Sequence, residues 1–248
     1  MAEIVYPPVL TLARGVFRYL GLRFALTGTE HVPRTGGAVM VINHIGYLDF
    51  TFAGLAARPA KRLVRFMAKD EVFRHRISGP LMRGMHHIPV DRDAGTASFR
   101  SALTALKGGE IVGVFPEATI SRSFELKEFK SGTVRMAAAA AVPVIPMILW
   151  GTQRMLTKDH PRDFSRHRTI AITVGEPLTV TRQDDAAEAT AHLRSTMAAM
   201  LDRTIRAYPE QPAGAWWLPA SYGGGAPTPE EAERLDREEL ARRAARKK

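Results

Sequence analysis

From Ala38 to Ala207 this chain alternates short apolar runs with longer helical stretches, and that rhythm limits its fold more than any other feature. Ala38–Ile42 is a continuous apolar run that predicts a buried strand, and Phe50–Ala57 predicts a helix. Leu63–Ala68 reads as the next strand, Phe73–Arg83 as a helix, Met85–Val90 as a strand and Thr96–Leu106 as a helix ended by Gly108-Gly109. Ile111–Phe115, Val142–Trp150 and Ile170–Val174 read as strands, and Gly132–Ala141 and Ala186–Ala207 as helices. Strands separated by helices are joined by crossovers. The expected fold is therefore α/β, with a largely parallel central sheet flanked by helices. In such sheets ligands gather beyond the carboxyl ends of the strands. The polar clusters after Ile42, Val90 and Phe115 all fall at such ends.

The 248 residues, 45% of them hydrophobic, suffice for a sizeable core in one large domain or two small ones. The absence of cysteine removes disulfides, thiolate metal sites and a cysteine nucleophile. A net charge of +10 draws the chain toward polyanions: nucleic acid, an anionic membrane or phosphorylated ligands. Met1–Pro8 lacks a basic leader, and no apolar run reaches the roughly 18 residues of a membrane span. The expectation is a chain that does not cross a bilayer.

Three segments follow. Residues 1–28 form an N-terminal segment in which Pro7 and Pro8 start a helix, expected over Val9–Phe24. Its wide apolar face carries a stripe of Thr11, Arg14 and Arg18. Such a helix either lies on anionic lipid or packs on the core with its arginines solvated. Residues 29–207 hold the α/β domain, after a short strand expected within Phe24–Glu30. Residues 208–248 are an aromatic loop around Trp216-Trp217 and a charged helix from Pro229 to Lys248. The tryptophans suit a membrane interface or a core plug, and the charged helix reads as a solvated tail.

Four blocks carry the chemistry. The first, Asn43-His44-Ile45-Gly46-Tyr47-Leu48-Asp49, sits at a strand-to-helix junction. Helical positions five apart diverge by about 140°. His44 and Asp49 therefore meet only if His44 lies in the turn and Asp49 in the first helical turn. A carboxylate so placed holds an imidazole in one tautomer as a base. The spacing alone is weak, because His86 and Asp91 repeat it along a predicted strand, where such residues face opposite ways. The second block, Gly84 to Arg92, delivers Asp91 and Arg92 to a strand end, and arginine suits phosphate. The third, Val114 to Arg122, offers Glu117, Thr119 and Arg122, with Lys127, Lys130 and Gly132 nearby as further anion donors. The fourth, Val142-Pro143-Val144-Ile145-Pro146, has no ionisable group and can only shape a wall or strand.

In this order the four blocks resemble the PlsC-type 1-acylglycerol-3-phosphate (lysophosphatidic acid) acyltransferases of glycerolipid synthesis, over about residues 30–180. The family pattern is an N-H-x4-D box, a G-x-x-x-x-P-x-D-R-like block, an F-P-E-G-T-R-S block and a V-P-V-x-P-like strand. Two positions depart from it. Ala118 stands in place of glycine, a small steric change, and Ile120 stands in place of arginine, which removes a phosphate ligand that Arg122 replaces.

The resemblance implies that His44 is the general base and Asp49 its orienter. It implies acyl transfer from acyl-CoA or acyl carrier protein to the sn-2 hydroxyl of 1-acylglycerol-3-phosphate, giving phosphatidic acid. Asn43, Asp91, Arg92, Glu117, Thr119, Arg122 and Lys130 would bind substrate. No cofactor or metal is expected, the acyl carrier being a co-substrate, and neither an H-E-x-x-H nor a G-x-S-x-G motif occurs. The resemblance also favours the interfacial reading of the first helix and a peripheral or monotopic place on the cytoplasmic membrane face. Acyl transfer to another lysophospholipid, glycerol 3-phosphate or a polyol lipid is the near alternative. A basic module that only binds membrane or nucleic acid, and a serine hydrolase or thioesterase, are alternatives of other classes.

Overall fold

A computed structural model describes residues 3–91 and 95–245 of the chain. Its centre is a seven-stranded sheet formed by β1 (Arg23–Thr27), β2 (Ala38–Ile42), β3 (Val64–Lys69), β4 (Ile88–Val90), β5 (Ile111–Val114), β6 (Val144–Trp150) and β7 (Thr169–Val174). The strand order is β1-β7-β6-β2-β5-β3-β4, and every neighbouring pair is parallel except β6 and β7. The helices are α1 (Tyr6–Tyr19), α2 (Asp49–Ala56), α3 (Asp70–Arg74), α4 (Ser78–Gly84), α5 (Gly95–Lys107), α6 (Gly132–Ala140), α7 (Ala186–Ala207) and α8 (Pro229–Ala245).

β2 is fully buried along its length, as a central strand covered on both faces must be. Its side chains alternate between two cores. Val39 and Val41 pack with residues of α5, α6 and α7, whereas Ala38, Met40 and Ile42 pack with Phe17 and Leu20 and with Phe52 and Ala53 of α2. The expected α/β architecture holds, and strand β2 and helix α7 have the bounds their sequences predict.

The differences have local causes. The helix expected over Phe73–Arg83 is two helices. His75 is extended, which ends α3, and its ring Nδ1 accepts the N–H groups of Ile77 at 3.3 Å and Ser78 at 3.4 Å just before α4 begins. β4 begins only at Ile88. His86 has φ of +57°, and His87 is buried with Nδ1 accepting the Phe66 N–H at 3.0 Å, so the two histidines belong to a turn. α1 stops at Tyr19 because Gly21, at φ +60°, turns the chain into β1. Trp217 is buried beneath the Arg154 guanidinium, 4.3 Å from the ring centre, and Trp216 stacks on His160 at 3.9 Å. The tryptophans therefore clamp the aromatic loop onto the body.

α1 has two apolar sides. Tyr6 and Phe17 are buried against the body, while Leu12, Val16 and Tyr19 are exposed, Leu12 at 71% and Tyr19 at 73%. Among the described residues, no helix is long and apolar enough to cross a membrane.

Candidate active site

The parallel strands β2, β3, β4, β5 and β6 point their carboxyl ends to one side of the sheet. The chain leaves β2 at Asn43, whose side chain continues the strand ladder by other means. Its amide nitrogen donates to Leu149 O at 3.0 Å and its oxygen accepts the Leu149 N–H at 2.7 Å. Both polar ends of Asn43 are thereby spent on β6, and the residue is fully buried. That pairing fixes where the next residue, His44, leaves the sheet.

His44 lies in the turn and Asp49 opens α2, the one arrangement that lets the pair meet. His44 Nδ1 lies 2.9 Å from Asp49 Oδ2. The same oxygen accepts the N–H groups of Ile45 at 2.7 Å and Gly46 at 2.8 Å. Asp49 Oδ1 accepts the Thr152 hydroxyl at 2.6 Å. Asp49 is fully buried at a helix N-terminus, where the helix dipole favours a negative charge. A carboxylate so surrounded by donors favours a proton on the ring nitrogen facing it, Nδ1, and leaves Nε2 as the ring's other nitrogen, turned away from Asp49. The ring stacks on Phe115, with centres 4.3 Å apart, and keeps 22% of its side-chain surface open. Gly46 makes the turn fit, since a Cβ there would crowd Leu156 O, Asp49 Oδ1 and Thr152 O at 3.1–3.3 Å.

Glu117, three residues past β5, ties this turn to the third block. Its Oε1 accepts the His44 N–H at 2.9 Å and its Oε2 accepts the Lys127 N–H at 3.2 Å. Burial pushes its carboxyl up to about 8, against the pull of those two N–H groups. Ser121 N–H donates to His44 O at 2.8 Å, and the Thr157 hydroxyl to Ile45 O at 2.7 Å. The first and third blocks are thus one hydrogen-bonded unit. Ala118 has φ of +59°, so a residue without Cβ would sit there at less cost. The departure from glycine is a matter of backbone conformation, where the sequence reading saw only a steric change.

Arg122 is buried and enclosed by acids. Nε meets Asp159 at 2.5 Å, Nη2 meets Glu239 at 2.8 Å, and Nη1 pairs with Asp236. Lys158 Nζ donates to Thr119 Oγ1 at 3.0 Å, to Glu239 at 3.0 Å and to Asp236 at 3.2 Å, and Lys127 Nζ also pairs with Asp236. Burial pushes both lysine ammoniums below their ordinary range, while Arg122 and Lys158 hold the Glu239 carboxyl at about 2 despite its burial. Asp236 and Glu239 belong to α8. The charged tail is therefore a docked helix: opposite charges on the body draw in a segment whose own sequence shows only a solvated face.

The second block lies further off. Asp91 follows β4, three strand spacings or about 14 Å from β2 across β5 and β3. It is exposed, and its N–H donates to Ser98 Oγ at 3.3 Å. Arg92 lies outside the described residues. Lys130 is exposed, with its N–H on Pro116 O at 3.0 Å. Ile120 is buried, at 3%. Among the described residues, no group of three or more His, Cys, Asp or Glu side chains could hold a metal ion.

Sequence reasoning missed Thr152 and Lys158. Thr152 had a signal, since it lies two residues past the strand of the fourth block and so falls near a carboxyl end. Lys158 had none beyond membership of a basic loop.

Known proteins with this pattern are consistent with the geometry. The profile of the Acyltransferase family matches residues 23–150. A Bacillus subtilis protein named 1-acyl-sn-glycerol-3-phosphate acyltransferase is 30% identical over 150 residues, covering 60% of this chain and 70% of its own length. A protein of the same name from Limnanthes douglasii is 33% identical over 159 residues, 62% of this chain and 53% of its own. The crystal structure of the 1-acyl-sn-glycerophosphate acyltransferase PlsC from Thermotoga maritima is similar in fold, with a TM-score of 0.68 at 20% identity, covering 82% of this chain and 80% of that one.

Proposed function

This chain belongs to the acyltransferase family, and from that premise we propose that it is an O-acyltransferase that moves a fatty acyl group from acyl-CoA or acyl carrier protein to the sn-2 hydroxyl of 1-acylglycerol-3-phosphate. The product is phosphatidic acid. The observation that carries this reading is the His44–Asp49 pair, 2.9 Å apart at the carboxyl end of β2, in one hydrogen-bonded unit with Glu117 and the third block.

His44 Nε2 takes the proton of the acceptor hydroxyl, and the freed oxygen attacks the thioester carbonyl. Collapse of the tetrahedral intermediate breaks the C–S bond, and the leaving thiolate takes the proton back from Nε2. Asp49 holds the ring during both transfers and stabilises the imidazolium between them. No acyl-enzyme is needed. Thr119 and Arg122 flank the acceptor's phosphate in this reading, with Asp91, Arg92 and Lys130 as outlying contacts, while Asn43 and Glu117 position the turn that carries His44. The exposed Leu12, Val16 and Tyr19 on α1, with Arg14 and Arg18 beside them, support a peripheral place on an anionic cytoplasmic membrane face, where lysolipid and product reside.

An acceptor panel with a single acyl-CoA tests the reaction. Lysophosphatidate is expected to be turned over, and His44→Ala to cost at least about 10²-fold in kcat. Turnover of a different lysolipid alone would replace the acceptor. Activity that survives His44→Ala would remove the mechanism, and fatty acid released steadily without an acceptor would indicate a hydrolase instead.

A further inference from the structure

Arg122, Lys127 and Lys158 converge on two carboxylates that lie outside the segment carrying the family's motifs. Asp236 and Glu239 stand three positions apart on α8 and so share one face of it. Asp236 Oδ1 serves Arg122 and Lys158, Asp236 Oδ2 serves Lys127, and Glu239 Oε2 serves Arg122 at 2.8 Å and Lys158 at 3.0 Å. Three carboxylate oxygens with two negative charges therefore engage three cations. A phosphomonoester presents three terminal oxygens and up to two negative charges.

The cluster adjoins the His44 turn. Arg122 follows Ser121, whose N–H is on His44 O, and Lys158 follows Thr157, whose hydroxyl is on Ile45 O. Lys127 donates its own N–H to Glu117, which also holds the His44 N–H. Lys158 further holds the Thr119 hydroxyl, beside the position where Ile120 brings no charge. α8 itself is fixed mainly by charge: Ala232 is its one buried residue among those described. A helix with so little apolar contact undocks at small cost once another anion takes over its cations, because those cations are never left unpaired.

We propose that Arg122, Lys127 and Lys158 form a phosphomonoester site, and that Asp236 and Glu239 of α8 occupy it as an intramolecular competitor of the acceptor's phosphate. The inference rests on the reading of the acceptor as a phosphorylated lysolipid. α8 must swing away, or surrender these contacts, before the acceptor's headgroup reaches the cluster.

Hydrogen exchange on the unmodified full chain tests it without turnover. Inorganic phosphate, and separately sn-glycerol 3-phosphate, should speed exchange across residues 229–245, and chloride at equal ionic strength should not. α8 amides that ignore saturating phosphate, or respond equally to chloride, would overturn the proposal. In the full chain, Asp236→Asn with Glu239→Gln removes both charges of the competitor and should tighten phosphate binding and lower KM for lysophosphatidate, each by at least about tenfold. Lys158→Met should weaken phosphate binding. A folded double variant with unchanged or higher KM would overturn the proposal, and if the variant does not fold, exchange on the unmodified chain decides alone. Release of α8 by phosphate without lysophosphatidate turnover would support the site while removing the acceptor reading. Turnover with α8 unmoved would do the reverse.

Discussion

Thr152 donates its hydroxyl hydrogen to Asp49 Oδ1 at 2.6 Å, across 103 residues of sequence. The contact joins the end of β6 to the start of α2, and it leaves Asp49 Oδ2 for His44. Replacing the hydroxyl by a methyl group, Thr152→Val, strands a buried carboxylate oxygen. The expected loss is about 1–3 kcal/mol of stability and roughly tenfold in kcat with little change in KM, the latter corresponding to about 1.4 kcal/mol of lost orientation. Thr152→Ser should restore both. Steady-state kinetics and denaturant unfolding of the two variants check this, and a Val variant with normal kcat would separate Thr152 from the dyad.

Glu117 should make stability depend on pH in an unusual direction. Its folded-state value of about 8 lies above the 4.5 of a free glutamate, so between those values the folded protein holds a proton that the unfolded chain has released. The contribution is fully present below about 4.5, declines as pH rises, and levels off above about 8. The unfolding free energy of the native protein minus that of Glu117→Gln should therefore fall between pH 5 and pH 8, on the order of 1 kcal/mol per pH unit. A flat or rising difference would mean that Glu117 is ionised in the fold.

Ala118 occupies the left-handed region at φ +59°. An L-residue there gives up about 1–2 kcal/mol, and glycine returns part of that gain through the greater freedom of its unfolded chain. Ala118→Gly should therefore raise stability by up to about 1 kcal/mol. The measurement is the denaturant midpoint at unchanged slope.

The outer face of α1 should govern attachment to lipid. Leu12→Ser with Val16→Ser removes two exposed apolar side chains, Leu12 at 71% and Val16 at 46%, that belong to none of the buried core clusters among the described residues, so folding should be little affected. Partitioning onto vesicles containing anionic phospholipid should drop at least about tenfold, because each side chain is worth about 1.5–3 kcal/mol when buried in lipid. Equal sedimentation of the native and variant proteins with such vesicles would assign α1 a purely structural role.

Much was legible in the sequence because it depends on neighbours along the chain. The apolar run Ala38–Ile42 reads as a buried strand, the alternation around it predicts a largely parallel sheet, and the His44–Asp49 spacing suits a strand-to-helix turn. Other features depend on residues far apart in sequence. Asn43 was read as a substrate ligand from its place in a motif, yet its amide completes the ladder with Leu149. Thr152 reaches Asp49 only because β6 lies beside β2. Charge fixes composition and long-range attraction but not which charges meet, so α8 read as a solvated tail, whereas its Asp236 and Glu239 lie among Arg122, Lys127 and Lys158. The sequence by itself determined the fold class through its local alternation, and it marked His44 as the expected base only through the resemblance of the four blocks taken together, since the spacing alone recurs at His86 and Asp91. Only the tertiary structure decided what surrounds that base, since those contacts come from chain crossings and charge pairings that carry no local signature.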